Sequence, residues 1–578
     1  MVMLWHDVAM HIDAVPNRTS RPTYLLRESY REGKRVRKRT LANLSALSDE
    51  QIEAIRAVLA GVAVRPVEEL FETVRSRPHG HVQGVGVAMQ RLGFEALIAS
   101  RGSVERELVC AMVAARILAP HSKLGTTRWW HTTTLPEEFG VEGADEDDLY
   151  EAMDWLLARQ GRIQQQLAAR HLEEGSLALY DLSSSYFEGQ CCPLGKIGHN
   201  RDGKQNKLQV NYGLLTTRGG CPVAVSVYEG NSNDAKTLLP QITQLREEFR
   251  LERVVLVGDR GMISHKAIGE QLQHLEGLAW ITALKSGQIR TLVEGGALQL
   301  GLFDERSLFE FSHPGYPGER LIACRNPELA ELRAYKRQQL LQATEKELEQ
   351  VRSSVQRGRL TGKAKIGVRV GRVVNKYKVA KHFDLTIEEQ RFDFAIRQQQ
   401  VAAEAALDGV YVIRTNVPEP QMSAPDTVRN YKALADVERA FRSLKTVDLK
   451  VRPIHHRLEE RVRAHIFLCM LAYYIEWHMR EAWRELLFAD EDMAAKARRD
   501  PVAPAQRSKR TLQKIAQRTL EDGTPVHSFP TLMQQLATIV RNTCITRADR
   551  AASQPFQMVT TPSPAQRRAL ELLQTFPV

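Results

Sequence analysis

The stretch SLALYDLSSSYFEG, residues 176–189, decides the fold: an apolar, strand-forming run into which a single acid, Asp181, has been set. A lone buried carboxylate is costly unless a base or a metal partners it. Asp181 therefore marks a candidate site. Four more apolar segments follow: LQVNYGLLT (208–216), PVAVSVYEG (222–230), RVVLVGD (253–259) and AWITALK (279–285). Turn-rich links join the first three, which predicts antiparallel pairing. Helix-length pieces, DAKTLLPQITQLREEFR (234–250) and HKAIGEQLQHL (265–275), separate the third from the fourth and the fourth from the fifth. Strand-helix-strand units imply parallel crossovers, so the order β-β-β-α-β-α-β predicts an α/β fold with a mixed sheet.

Asp259 closes the fourth segment at the C-terminal end of a parallel-type strand, where open α/β sheets place their ligands. Standing alone, it reads equally well as a helix cap. The first and fourth strands of such a unit lie side by side, so the two carboxylates can meet around a hard divalent cation such as Mg²⁺. A third acid, Glu438, lies in RNYKALADVERAFRSLKTVDLK. On one continuous helix Tyr431, Glu438 and Lys445, spaced by seven, form a polar stripe beside an apolar stripe of Val437, Phe441 and Leu444. An ordinary amphipathic surface helix has the same pattern.

The rest of the chain narrows the class. Its 578 residues exceed a single domain, and 43% hydrophobic content excludes disordered and fibrous classes. Lys and Arg number 80 against 69 Asp and Glu, a net charge of +11 that points to a polyanionic partner. Seven cysteines, with no CxxC pair, suggest neither a disulfide scaffold nor a zinc ribbon, and a reducing cytoplasm is expected. The opening MVMLWHDVAMHIDAV carries His6, Asp7 and Asp13 and does not read as a leader, and no apolar run is long enough to span a membrane.

Two regions concentrate positive charge. Residues 18–39 hold nine Lys/Arg against two Glu and read as a two-stranded ribbon turning at Glu32-Gly33, with Arg35, Arg37, Lys38 and Arg39 on a basic face. A solvated charged hairpin is the plain alternative to a phosphate-contacting one. Between Arg352 and Lys381 there are ten Lys/Arg and no acid, including Lys363, Lys365, Arg369 and Arg372, where a solvated face would mix signs. Around them the expected elements are helices over 49–59 and 103–118 and a helix starting near Asp145. Strands are expected at SLFEF and RLIACRN, followed by a long charged helix over 327–357. A strand pair made of KHFDLTIEEQRFDFAIR and GVYVIRTN comes next, then a helix N-capped at Asp426 and an amphipathic helix over 458–486. Beyond it a polar helical region carries Arg498, Arg499, Arg507, Lys509 and Arg510. Trp129 and Trp130 read as core.

Taken together, YDLSSSYFEG around Asp181, GHNRDGKQNKLQVNYGLLTTRGGCPVAVSVYEGNSNDAKTL behind it, VVLVGDRGMIS around Asp259 and the Tyr431-x6-Glu438-x6-Lys445 signature resemble a bacterial insertion-sequence DDE transposase of the IS-four superfamily. The resemblance covers roughly residues 176–480, and the basic YLLRESYREGKRVRKRTL start is similar to this group as well. One departure stands out: Leu434 occupies a place where the family signature often has Arg. The resemblance implies an RNase H-like mixed β-sheet core interrupted by a β-rich insertion, with helical N- and C-terminal regions. The corresponding divisions are 1–75 (basic ribbon and helix, DNA-binding), 76–175 (helical), 176–287 (first part of the core), 288–410 (insertion), 411–486 (second part, with the Glu helix) and 487–578 (helical).

It further implies that Asp181, Asp259 and Glu438 hold two Mg²⁺ ions, with Mn²⁺ as a substitute, for cleavage at transposon ends and strand transfer into target DNA. Tyr431, Lys445, Arg442 and Arg260 are expected at DNA phosphates, and a homodimer on paired DNA ends, without membrane association, is the expected assembly. His199, Asp202 and Asp234 rank behind the three acids and read first as turn or cap residues; Asp202, Asp234 and Glu229 are the places to seek a third ligand should Glu438 not be one. The adjacent His455 and His456 do not face one ligand on a helix. An RNase H-like endonuclease without strand transfer, or an inactive DNA-binding relic, are the alternatives.

Overall fold

The computed structural model describes residues 9–18, 20–62, 70–199, 201–204, 206–304, 307–490, 492, 498–503, 507–546 and 554–577. Residues 1–8, with His6 and Asp7, lie outside them. The chain forms two units, one of residues 1–77 with 540–560 and one of residues 78–539 with 561–578.

In the first unit β1 (Ala9–Val15), β2 (Thr23–Glu32) and β3 (Arg35–Asn43) form an antiparallel sheet. The ribbon expected from sequence is β2–β3, turning at Gly33 with φ +66, a backbone that glycine adopts without Cβ strain. β1 adds a third strand. The Asp49–Leu59 helix begins at a capping box in which Ser48 and Gln51 satisfy each other's backbone amides. A second sheet in the order β16-β15-β4 joins β4 (Phe71–Pro78) to β15 (Val540–Thr546) and β16 (Phe556–Val559). The C-terminal region is therefore not wholly helical, as expected, but returns two strands to this unit.

The second unit is built on an eight-stranded mixed sheet in the order β10-β11-β14-β9-β8-β5-β6-β7. Its strands are β5 (Leu177–Tyr186), β6 (Gln209–Thr217), β7 (Pro222–Glu229), β8 (Val254–Val257), β9 (Leu278–Ala283), β10 (Leu308–Phe311), β11 (Arg320–Arg325) and β14 (Val410–Thr415). β5, β6 and β7 run antiparallel, and β8 lies parallel to both β5 and β9. Ala178, Leu179, Tyr180 and Leu182 are all buried, as in a strand covered on both faces.

Four expectations are corrected here. β10, β11 and β14 belong to the main sheet, so the segment between β9 and β14 is not a separate β-rich insertion. What projects from the sheet is mainly helical: Pro327–Gln356 packs Leu341, Leu348 and Val351 against Ile366, Val370 and Val373 of Lys363–Tyr377. KHFDLTIEEQRFDFAIR folds on itself as the hairpin β12 (Phe383–Ile387) and β13 (Phe392–Ile396), while GVYVIRTN supplies β14. The helix near Asp426 is capped by Ser423, whose hydroxyl oxygen accepts from the Asp426 amide, because Pro425 fits the first turn. The long helix, Glu459–Ala482, is buried all round from Ala464 to Ile475 rather than amphipathic. It packs on β7 and on the Val104–Leu118 and Glu146–Leu157 helices as the axis of the core.

Candidate active site

Parallel pairing of β5 with β8 sets Leu177 opposite Val255, Ala178 opposite Leu256 and Leu179 opposite Val257. Continued by two residues, this register puts Asp181 level with Asp259 on chains separated by about 4.8 Å. Asp259 turns the chain as it leaves the strand: its Oδ1 accepts from the amides of Gly261 (3.0 Å) and Met262 (2.8 Å). A Cβ on Gly261 would sit 3.3 and 3.4 Å from the two Asp259 oxygens and 3.6 Å from Oδ2 of Asp234, close enough that a side chain there would press lightly on the Asp259 carboxylate.

The third acid comes from the other side. The Leu434–Arg442 helix lays Val437, Ala440 and Phe441 on β5 and leaves Glu438 exposed, with no hydrogen bond or ion pair among the described residues. Asp181 reports all three acids at once. Burial pushes its carboxyl up to about 7; the Leu182 amide and Arg201 oppose this, while the negative charges of Asp259 and Glu438 add to it. The half-buried Tyr431 hydroxyl is pushed up to about 12 by burial first, then by Asp259, Asp181 and Glu438 against Arg260. The structure thus brings Asp181, Asp259, Glu438, Tyr431 and Arg260 together.

Lys445 is not on one stripe with them. The helix carrying Tyr431 ends at Lys432, a new one starts at Leu434, and Lys445 falls in a turn of π-helix, Ser443–Val447. There it is buried and bonded to Asp202 Oδ1 at 3.1 Å, an oxygen shared with Arg452 at 2.5 Å. The other Asp202 oxygen accepts from the Tyr186 amide at the end of β5. Asp202, read as a turn residue, is instead the buried centre that ties this π-turn to β5. Asp234 lies beside Asp259 and pairs with Arg201 at 2.6 Å, and Arg201 also acts on the Asp181 carboxyl. Sequence reading missed Arg201 and Arg452; the Arg-Asp pair in GHNRDGK was the available signal.

The remaining candidates lie apart from the acids. His199 is exposed and lends its carbonyl to Gln209, Glu229 is exposed at the end of β7, and His455 is exposed while His456 stacks near His465 with ring centroids at 5.0 Å. Arg442 is exposed without a described partner. In the first unit Arg35 is exposed with no ion pair among the described residues, but Arg37 pairs with Glu32 (2.6 Å), Lys38 with Asp13 (3.0 Å) and Arg39 with Glu28 (2.6 Å). On the Lys363–Tyr377 helix Lys363, Lys365, Arg369 and Arg372 are all exposed. Among the described residues one His/Cys/Asp/Glu set has ligand atoms all within 4.8 Å of one another: His171, Cys221 and His478, away from the acids. The all-oxygen donor set of the three acids suits a hard ion.

Residues 195–475 match the family described as Transposase DDE domain, a span that contains Asp259 and Glu438 and begins after Asp181. Residues 12–69 match the family described as IS1634 family transposase, N-terminal domain. No curated protein matches the chain. Among solved structures, a piggyBac transposase synaptic complex with hairpin DNA is similar at a TM-score of 0.34 and 9% identity, over 76% of this chain and 85% of that one. No helix among the described residues is long and apolar enough to cross a membrane.

Proposed function

This chain is an insertion-sequence DDE transposase, an enzyme that cleaves DNA and transfers its strands, and from that premise we propose that Asp181, Asp259 and Glu438 are its metal-holding catalytic carboxylates. The observation that carries this reading is the parallel β5–β8 register, which sets Asp181 level with Asp259 beneath the helix that bears Glu438; the raised Asp181 carboxyl, due first to burial and then in part to these two acids, agrees with it. Like charges gathered without enough cations call for a cation. Enzymes of this family use divalent metal ions. Two Mg²⁺ ions, with Mn²⁺ as a substitute, fit the oxygen donors; when bound they supply Lewis acidity to attacking and leaving phosphodiester oxygens.

The protein's own part is positional. The Asp259 turn and the β5–β8 register hold two acids in place, and Gly261 keeps the space beside Asp259 clear. Asp181 gives up its proton as the site loads. The Arg201–Asp234 pair limits the excess negative charge. Arg260, exposed beside Asp259, is assigned to phosphate oxygens, with the Tyr431 hydroxyl, kept protonated by its surroundings, as a donor, and the exposed Arg442 to DNA farther from the acids.

The strand order β7-β6-β5-β8-β9 supports an RNase H-like core. We assign duplex binding to the first unit through Arg35, Arg37, Lys38 and Arg39, and to Lys363, Lys365, Arg369 and Arg372. The enzyme works in the cytoplasm as a homodimer that pairs two DNA ends. The test is Mg²⁺-dependent cleavage and joining of a labelled element-end duplex. Wild type is expected to cut and join, while Asp181→Ala, Asp259→Ala and Glu438→Ala each bind the duplex but stay inert. Activity retained by the Glu438 variant would remove that residue from the site.

A further inference from the structure

A cleft of about 690 Å³ in the second unit is lined by Arg116, Lys123, Lys450, Arg452, Arg457 and Arg461 and by no acid. Two of these cations form its floor. Lys123 is 4% exposed and Arg116 6% exposed. The Lys123 amine has no hydrogen bond or ion pair among the described residues, and Arg116 donates only to the His121 carbonyl, at 3.1 Å. A buried, unpaired ammonium costs several kcal/mol of desolvation, and a second cation beside it adds repulsion. Apolar side chains of similar size would fold more stably, so the pair implies an anion that is present when the protein works. One wall is aromatic: Tyr150 has the Arg461 guanidinium 4.5 Å from its ring centroid and the His456 ring edge-on at 6.0 Å.

The cleft is continuous with the carboxylate strand. Phe187, just beyond β5, bridges Ile454 in the cleft wall, and Arg452 spans from the cleft to Asp202. We propose that this cleft binds a phosphate group of the DNA strand running past Asp181, with Lys123 and Arg116 as its buried cations and Tyr150 as a wall for the adjoining nucleotide. The inference rests on the reading of the chain as a DNA-processing enzyme. Its ligand chemistry, a phosphate oxyanion, is shared by free phosphate compounds. Burial and the neighbouring Arg116 draw the Lys123 amine down to about 7, so a bound oxyanion also restores its charge.

The test uses the full-length protein with Lys123→Met and, at the cleft rim, Arg457→Gln. The probes are a fluorescent oligothymidylate for binding and inorganic pyrophosphate for thermal protection. The expected result is that Lys123→Met melts higher than wild type, having shed an uncompensated buried charge, yet binds the oligonucleotide about tenfold more weakly. Its salt slope should fall by about 0.7, the value for one single-strand phosphate. Arg457→Gln should weaken binding in the same direction without a change in melting. If pyrophosphate protects wild type and not Lys123→Met while oligonucleotide binding is equal in both, the cleft takes a free anion and the DNA-strand proposal is overturned. If Lys123→Met melts lower and binds normally, the lysine is structural and the proposal is overturned as well. Asp181→Ala should bind the oligonucleotide as wild type does, so failure of the carboxylate reading registers separately, as retained cleavage.

Discussion

Asp181 carries a pH signature at the site itself. Its carboxyl is pushed from 3.8 up to about 7, by burial first. With the folded value above the unfolded one, its contribution to stability is complete below about pH 4 and is lost as pH rises through about 7, because across that window the folded state binds more protons. Glu476, fully buried between Ser443 and Arg480, is also pushed up to about 7 and has the same sign. Buried His81, His171, His456 and His478 are pushed down and act with the opposite sign over the acid part of this window, so the signature of Asp181 is read against Asp181→Asn: in the metal-free protein the wild-type thermal midpoint should fall relative to that of the variant as pH rises through about 7. Mg²⁺ should recover part of the loss at the alkaline end, and Asp181→Asn should show a shallower slope with no response to Mg²⁺. A wild-type midpoint indifferent to Mg²⁺ would contradict the assignment. Asp202 gives a second residue-scale prediction: Asp202→Ala leaves Lys445 and Arg452 buried without their anion and should cost about 3–5 kcal/mol in urea unfolding. Asp181 was legible because an acid in an apolar strand breaks a local rule. The pairing of Lys445 with Asp202 was not legible because Asp202 is remote in sequence and no local pattern links the two.

Among the elements, the Lys363–Tyr377 helix keeps a buried apolar face apart from a basic one. Ile366, Val370, Val373 and Val374 are buried, while Lys365, Arg369 and Arg372 recur at four and three on the exposed face. Replacing those three by Gln should lower the salt slope of duplex binding by about 0.9 for each phosphate no longer neutralised, and leave the cutting rate at saturating DNA unchanged. An unaltered slope would make the stripe a solvated surface. The five strands from β5 to β9 were readable because period-two apolar runs and the lengths between them are local properties. The break between Lys432 and Leu434 and the π-turn after Arg442 were not, since seven-residue spacing on paper assumes an unbroken helix. Glu438 reaches the acids despite that break because Val437, Ala440 and Phe441 fix its helix on β5.

At the scale of the whole molecule, distant pairing decides what the sequence could not. SLFEF, RLIACRN and GVYVIRTN read correctly as strands, but nothing in them says that they extend the main sheet beyond β9. The C-terminal helix, Pro564–Thr575, likewise looks peripheral by composition, yet it places Ala569, Leu570 and Leu573 in the main core and caps Trp483 through the Ala569 carbonyl at 2.8 Å. Leu573→Ala should cost about 2–5 kcal/mol. Deleting residues 561–578 should abolish cooperative unfolding of the second unit, read as loss of the near-ultraviolet dichroism of its buried tryptophans; a cooperative transition in the deletion variant would show the helix to be dispensable. Between Ile539 and Thr561 the chain leaves this unit, contributes β15 and β16 to the other, and comes back. The basic ribbon and its neighbours therefore cannot be exchanged as a cassette. A single genetic breakpoint near residue 77 would bring in a foreign N-terminal half lacking its own two closing strands, so diversification of the first unit by recombination needs two matched breakpoints at once, while stepwise point substitution on its surface stays open.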